Sequence, residues 1–426
     1  MSSAAKKVHI HLSDIHGYSR LAVEAVLGVT DLVESVHHTI LRLPPPLGAS
    51  DAAVLPPTGP HGVAYKVLQS ASGMVYGAIR GITRLIGGGF DAALEHLQPE
   101  LAHVNSSNER AAVLSIINGV LGDHMDTYGN PLTIRMNFRR DGRVLELTPE
   151  SLARAIPQPT GKILVLLHGH CMNELQWRRD GHDHGEVLAA AGGYTPMYLR
   201  YNSGLNISKN GRAFAELLET LVGAWPTAVE EISILGYSMG GLVARSAFHY
   251  GAEAKHGWLR HAHKLLFVGT PHHGSMVEQA GNLIDKVLEI SPYSNAFSRI
   301  GKIRSAGTTD LRHGNVLDED WQGRNRFAHA ADVRQPLPLP PGVKCYAIAA
   351  MIAKEHCELR GKLFGDGLVP LKSALGHHRD ATRELEIPAE HQKTFYGMTH
   401  MGLLKSQEVC AQLQAWIADS ADKSGA

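Results

Sequence analysis

Ile232-Ser233-Ile234-Leu235-Gly236-Tyr237-Ser238-Met239-Gly240-Gly241 decides the fold of this chain. The first four residues form an apolar run of strand length, and Gly241 to Tyr250 follow as an amphipathic helical segment. Between them stands Gly236-x-Ser238-x-Gly240. A strand that turns into a helix over so few residues needs small residues where the backbone closes on itself, and it leaves the apex residue beyond the strand's carboxyl end. Ser238 holds that apex, and the next backbone N–H, at Met239, points toward the space where an oxyanion would form. Glycine-serine turns are common. The strand before and the helix after make Ser238 the candidate nucleophile.

A serine hydroxyl attacks a carbonyl well only when a histidine takes its proton and a carboxylate fixes that histidine's tautomer. In a strand–elbow–helix architecture the acid and then the histidine follow the serine along the chain. The strand-like Lys344 to Ala350 is followed by Phe364-Gly365-Asp366-Gly367-Leu368-Val369-Pro370, where two glycines let a turn present the Asp366 carboxylate. Asp310, Asp318 and Asp320 satisfy the same order but lie in polar chain with no strand before them. Gly397-Met398-Thr399-His400-Met401-Gly402-Leu403-Leu404 precedes the last helix, whose Leu403, Leu404, Val409, Leu413 and Ile417 recur near helical spacing. His400, in the loop opening that helix, is the candidate base, with His391 as its rival by position. Earlier, the apolar strand Lys162 to Leu167 runs into His168-Gly169-His170-Cys171-Met172. The backbone N–H of His170, just after the glycine, is placed to be a second oxyanion donor beside Met239.

The combination of the His168-Gly169 turn, Gly236 to Arg245, Phe267-Val268-Gly269-Thr270-Pro271-His272-His273-Gly274-Ser275, Gly365 to Pro370 and Thr399 to Leu404 resembles the lipase and esterase branch of the α/β-hydrolase superfamily. It is similar to bacterial triacylglycerol lipases and to the deacylases acting on GPI-anchor inositol, over residues 129–426. The resemblance implies an α/β-hydrolase fold and a serine carboxylester hydrolase working through an acyl-enzyme. Ser238 would be nucleophile, Asp366 acid and His400 base, with the His170 and Met239 amides as oxyanion hole. Thioesterases and amidases share that mechanism, and a non-catalytic protein binding hydrophobic surfaces is the alternative from another class. One departure stands out. Many calcium-dependent bacterial lipases carry an aspartate two residues after the catalytic histidine, where this chain has Gly402. No metal and no cofactor are expected.

The 426 residues are enough for one large α/β domain and an appendage. Forty-one basic and forty-one acidic side chains cancel, which gives no footprint for nucleic acid and leaves an ester or lipid-like small molecule as the expected partner. Cys171, Cys345, Cys357 and Cys410 have no metal-ligand spacing. The 26 histidines are mostly scattered, and His182-Asp183-His184 and His272-His273 read as hydrogen-bonding residues that no cysteine or carboxylate set completes. The start lacks the apolar segment of a signal peptide, and no run reaches the roughly eighteen apolar residues of a membrane span, so reduced thiols and a cytoplasmic location are expected.

Strands are predicted at Leu132–Phe138 and Arg143–Leu147, a hairpin around Asp141-Gly142, then at Lys162–Leu167, Thr195–Arg200, Glu231–Leu235, Lys264–Gly269 and Lys344–Ala350. Helical segments between them imply a mainly parallel sheet covered on both faces. Residues 276–342 interrupt this rhythm and read as a lid insertion in a catalytic domain spanning 129–426. Residues 1–128 read as a helical region: one helix carries Leu21 to Ile40, a second carries Val67 to Leu85 with Gly73, Gly77 and Gly81 as a groove, and a third spans Asn108 to Asp126. Two readings stand for the first two helices: packing on the catalytic domain, or peripheral contact with lipid or another hydrophobic surface.

Overall fold

Ile163, Val165 and Leu167 enter one apolar core, while Leu164 and Leu166 enter another. A strand buried on both faces reads as an unbroken apolar run rather than an alternation, which is the signature of a parallel sheet sandwiched between helices. The computed structural model describes residues 108–275, 304–326, 332–354 and 365–419. The two helices expected before residue 108, the Gly73-Gly77-Gly81 groove and Cys357 lie outside the described residues.

Among the described residues the strands are β1 (Asn137–Arg140), β2 (Arg143–Val144), β3 (Lys162–Leu167), β4 (Arg178–Arg179), β5 (His182–Asp183), β6 (Thr195–Arg200), β7 (Glu231–Tyr237), β8 (Ala262–Val268), β9 (Lys344–Met351) and β10 (Gln392–Tyr396). The main sheet has the order β10-β9-β8-β7-β3-β6-β1-β2, with β4 and β5 paired as a separate ribbon. Pairing is parallel from β10 through β6 and antiparallel at β1 and β2. The longer helices are α1 (Asn108–Thr127), α2 (Pro149–Ala155), α3 (His184–Gly192), α4 (Ile207–Ala224) and α5 (Met239–Glu253). They are followed by α6 (Ala306–Asp310), α7 (Leu371–Ala374) and α8 (Gln407–Ala418). Phe214 and Leu218 of α4 and Leu242 and Val243 of α5 cover one face of the sheet, and Leu188 of α3 with Leu413 and Trp416 of α8 cover the other. No helix among the described residues is long and apolar enough to cross a membrane.

The amino-terminal hairpin is shorter than its sequence predicts. Asp141 (φ 49°) and Gly142 (φ 75°) are both left-handed, as a two-residue turn matching strand twist requires. Upstream, however, the Asn118 side chain of α1 takes over the backbone of 132–134. Its amide donates to the Leu132 carbonyl at 2.9 Å and its oxygen accepts from the Ile134 N–H at 2.8 Å. Strand β10 is absent from the strands that the sequence predicts. As an edge strand its burial follows no clean alternation, with Phe395 its one buried residue, so the sequence carries no strong period there.

The described parts of 276–342 are bonded to the sheet domain. Asp310 accepts from the Ile207 N–H at 2.9 Å, Ser305 donates to the Gly119 carbonyl at 2.5 Å, and Arg245 donates to the Leu337 carbonyl at 2.6 Å. Residues 276–303 lie outside the described residues.

Candidate active site

The turn between β7 and α5 places Ser238 at φ 52° and ψ −123°. Such a conformation is unfavourable for a residue with a side chain and persists only where the surroundings impose it. They do so by crowding. A Cβ on Gly236 would lie 2.5 Å from the Gly241 Cα, and one on Gly240 would lie 2.4 Å from the Leu167 carbonyl oxygen. The spacing of the motif is therefore steric: β3, the elbow and α5 meet too closely for any side chain. Ser238 itself is partly exposed and is held by its N–H donating to the Val268 carbonyl at 2.9 Å.

Asp366 is fully buried in the turn after β9. One carboxylate oxygen accepts from the Leu368 and Val369 N–H groups at 3.0 and 2.8 Å. The other lies 2.6 Å from His400 Nδ1, and the His400 N–H also donates to the Asp366 carbonyl at 3.0 Å. Side chain and backbone thus fix the histidine together. Tyr237 adds a third hold: its hydroxyl donates to the His400 carbonyl at 3.0 Å, and the two rings lie 4.9 Å apart. Burial raises the Tyr237 phenol well above its ordinary pKa, so it stays a neutral donor. His400 Nε2 is buried and has no hydrogen-bond partner among the described residues.

Ser238 and His400 line the same cavity, of about 110 Å³, whose other walls include Met172, Leu311, Val369 and Met401. A larger cavity of about 490 Å³, lined by Asp123, Arg312, Arg324 and Arg334 among others, borders α6 from another side and includes neither Ser238 nor His400. The smaller cavity holds the candidate chemistry.

The turn after β3 closes on the same point. A Cβ on Gly169 would lie 3.2 Å from the Ser238 Cβ, so the backbone at 169 abuts the serine. The His170 ring is held by Ser203 (Nδ1 to the carbonyl, 3.2 Å) and Thr308 (Nε2 to the hydroxyl, 3.1 Å), and burial pushes it down to about 4. His168 stacks on Tyr201 at 4.2 Å, and burial brings it to about 3. Both rings are therefore neutral props for the turn that carries the His170 N–H. No local pattern marks Tyr201, Tyr237 or Thr308, because each acts across a long chain separation.

The rival residues lie elsewhere. Asp310 caps the start of α4 and is held by Asn206 and Asn315; burial raises it to about 7. Asp318 pairs with Arg212, and Asp320 accepts the Val316 and Leu317 N–H groups. His391 packs on Tyr346 and faces the Cys345 carbonyl at 3.2 Å.

Residues 158–333 match the family model described as the PGAP1-like alpha/beta domain. Among solved structures the chain is similar to a Bacillus licheniformis lipase in propeptide form, at 18% identity and a TM-score of 0.40, covering 63% of this chain and 54% of that one. The chain thus spans about half the length of that protein. The mature form of the same lipase matches at 17% identity and a TM-score of 0.40, covering 61% of this chain and 94% of that one. Aspergillus fumigatus lipase B matches at 11% identity and a TM-score of 0.40, covering 95% of this chain and 84% of that one. No curated protein matches the chain. The mostly parallel sheet and the strained serine turn at the end of β7 form an α/β-hydrolase fold, within which residues 158–333 match the PGAP1-like alpha/beta domain.

Proposed function

We propose that the domain is a serine carboxylester hydrolase. The observation that carries this reading is the state of His400. One ring nitrogen is fixed on buried Asp366, and the other is unpartnered in a cavity that Ser238 also lines. In the reaction, His400 Nε2 takes the Ser238 hydroxyl proton as Oγ bonds to the substrate carbonyl carbon. The carbonyl oxygen becomes an oxyanion beside the His170 and Met239 N–H groups, and Asp366 stabilises the imidazolium without taking its proton. His400 then gives that proton to the leaving alcohol. Water, deprotonated by the same nitrogen, attacks the acyl-enzyme and returns the serine with release of the acid. Met172, Leu311, Val369 and Met401 give the cavity apolar walls, which suit the acyl chain of an ester.

Hydrolysis of p-nitrophenyl esters tests this. Ser238→Ala should remain folded and lose roughly three orders of magnitude or more in kcat, the scale of nucleophile removal in serine hydrolases. A loss of less than about tenfold would remove Ser238 from the mechanism.

A further inference from the structure

His182 and His184 alternate along the chain, and their sequence reads as hydrogen-bonding residues with no cysteine to complete a ligand set. The structure bears out the hydrogen bond and adds the cysteine. His182 Nε2 and His184 Nδ1 are 2.7 Å apart with the rings edge to face, and Cys410 of α8 joins them. One donor atom from each of the three residues lies within 4.8 Å of the other two. We infer that His182, His184 and Cys410 form a binding site for one zinc-class divalent cation, which would fasten the loop bearing His400 to the start of α3.

Three observations support this site beyond proximity. First, His184 Nε2 lies 2.8 Å from the Leu403 carbonyl, so that nitrogen carries the proton and Nδ1 presents its lone pair toward His182. A ligand histidine is commonly oriented in this way, through its remote nitrogen on a carbonyl. Second, the Cys410 thiol is buried and in no disulfide, so its sulfur is available as a thiolate ligand. Third, His182 is only partly buried, which gives an ion a path in and leaves water as a fourth ligand. The neighbouring Asp183 is committed elsewhere: one oxygen accepts from the Gly185 N–H and the Tyr198 hydroxyl, both at 2.8 Å.

Two imidazoles and a thiolate select borderline-soft cations over calcium or magnesium. Metal–nitrogen bonds of about 2.0 Å and metal–sulfur bonds of about 2.3 Å separate the donor atoms of a tetrahedral site by roughly 3.3–3.6 Å. The nitrogens must therefore open slightly and the thiol close slightly, by side-chain rotation alone. Binding is balanced by protons. Cys410 releases one to solvent, and His182 moves its proton from Nε2 to Nδ1 as Nε2 becomes a ligand. The three ligands come from β5, the first residue of α3 and α8, and Leu403 lies in the turn that follows His400. The ion would brace that turn without touching the reacting atoms.

Cobalt(II) titration of the chelator-stripped full chain tests the site. One equivalent should produce a thiolate-to-cobalt charge-transfer band in the near ultraviolet together with tetrahedral visible bands, and zinc should displace both. Cys410→Ala should abolish the charge-transfer band. His182→Ala, at a partly exposed position that leaves the fold intact, should weaken cobalt binding at least about tenfold, the lower range for loss of even a supporting residue. Zinc should raise the melting temperature of the wild type but not of His182→Ala. Absence of a thiolate band in the wild type, its persistence in Cys410→Ala, or unchanged affinity in His182→Ala would each overturn the assignment.

Discussion

Crowding at Ser238 makes the elbow intolerant of a single added methyl. Gly240→Ala would place a Cβ 2.4 Å from the Leu167 carbonyl, a backbone atom that cannot rotate away, so the turn must shift. The variant should lose most of the proposed ester hydrolysis even where circular dichroism shows it folded; full activity would mean that the elbow geometry is not required. Asp366→Asn keeps the shape but offers His400 Nδ1 an N–H in place of an acceptor, favouring the wrong tautomer. Its kcat should fall by about 10⁴, the cost of the same change in a studied triad. Wild-type rates in Asp366→Asn, with a loss in Asp310→Asn instead, would move the acid. The pH dependence of stability has a definite sign. Burial holds His168 near 3 and His170 near 4, against an ordinary value of 6.5. As pH falls from about 6.5 toward 4 the unfolded chain takes up protons that the folded chain refuses. Each ring should therefore cost about 1.4 kcal/mol of stability per pH unit across that window. Urea denaturation at pH 7 and pH 5 checks this, and His170→Gln should flatten the slope by about one proton; an unchanged slope would contradict it. At this scale the sequence pointed to Ser238, Asp366 and His400 because each follows a strand end, where this architecture gathers loops. It could not point to Cys410 beside His182 and His184, since nothing local links α8 to β5.

At the scale of elements, legibility followed burial. Strands β3, β7, β8 and β9 are enclosed on both faces and stand out as apolar runs, whereas edge strand β10, exposed on one flank, does not. The shortened hairpin shows a different limit. Residues 132–134 find their backbone partners in the Asn118 side chain rather than in a neighbouring strand, a competition that periodicity cannot register. Asn118 is fully buried, and its side chain also donates to the Leu114 carbonyl at 2.9 Å. Asn118→Ala would leave the Leu132 carbonyl and the Ile134 N–H without these bonds. It should lower the unfolding free energy by about 1–3 kcal/mol, the cost of stranding buried polar groups. An unchanged urea midpoint would mean that water satisfies those groups and that α1 is not held there.

Across the whole molecule, one sheet with two helical layers carries a site assembled from four strand ends. β3 brings the turn at His170, β7 the serine, β9 the aspartate turn and β10 the loop leading to His400. A parallel sheet delivers all four to one edge because its strands share a direction, which is how ligand sites arise in such folds. The most direct test of the account is covalent labelling by a fluorophosphonate probe, read by intact mass and peptide mapping. One adduct per chain is predicted, located on Ser238, absent from Ser238→Ala and slowed in His400→Ala. An adduct that persists in Ser238→Ala, or that maps to another residue in the wild type, would contradict it.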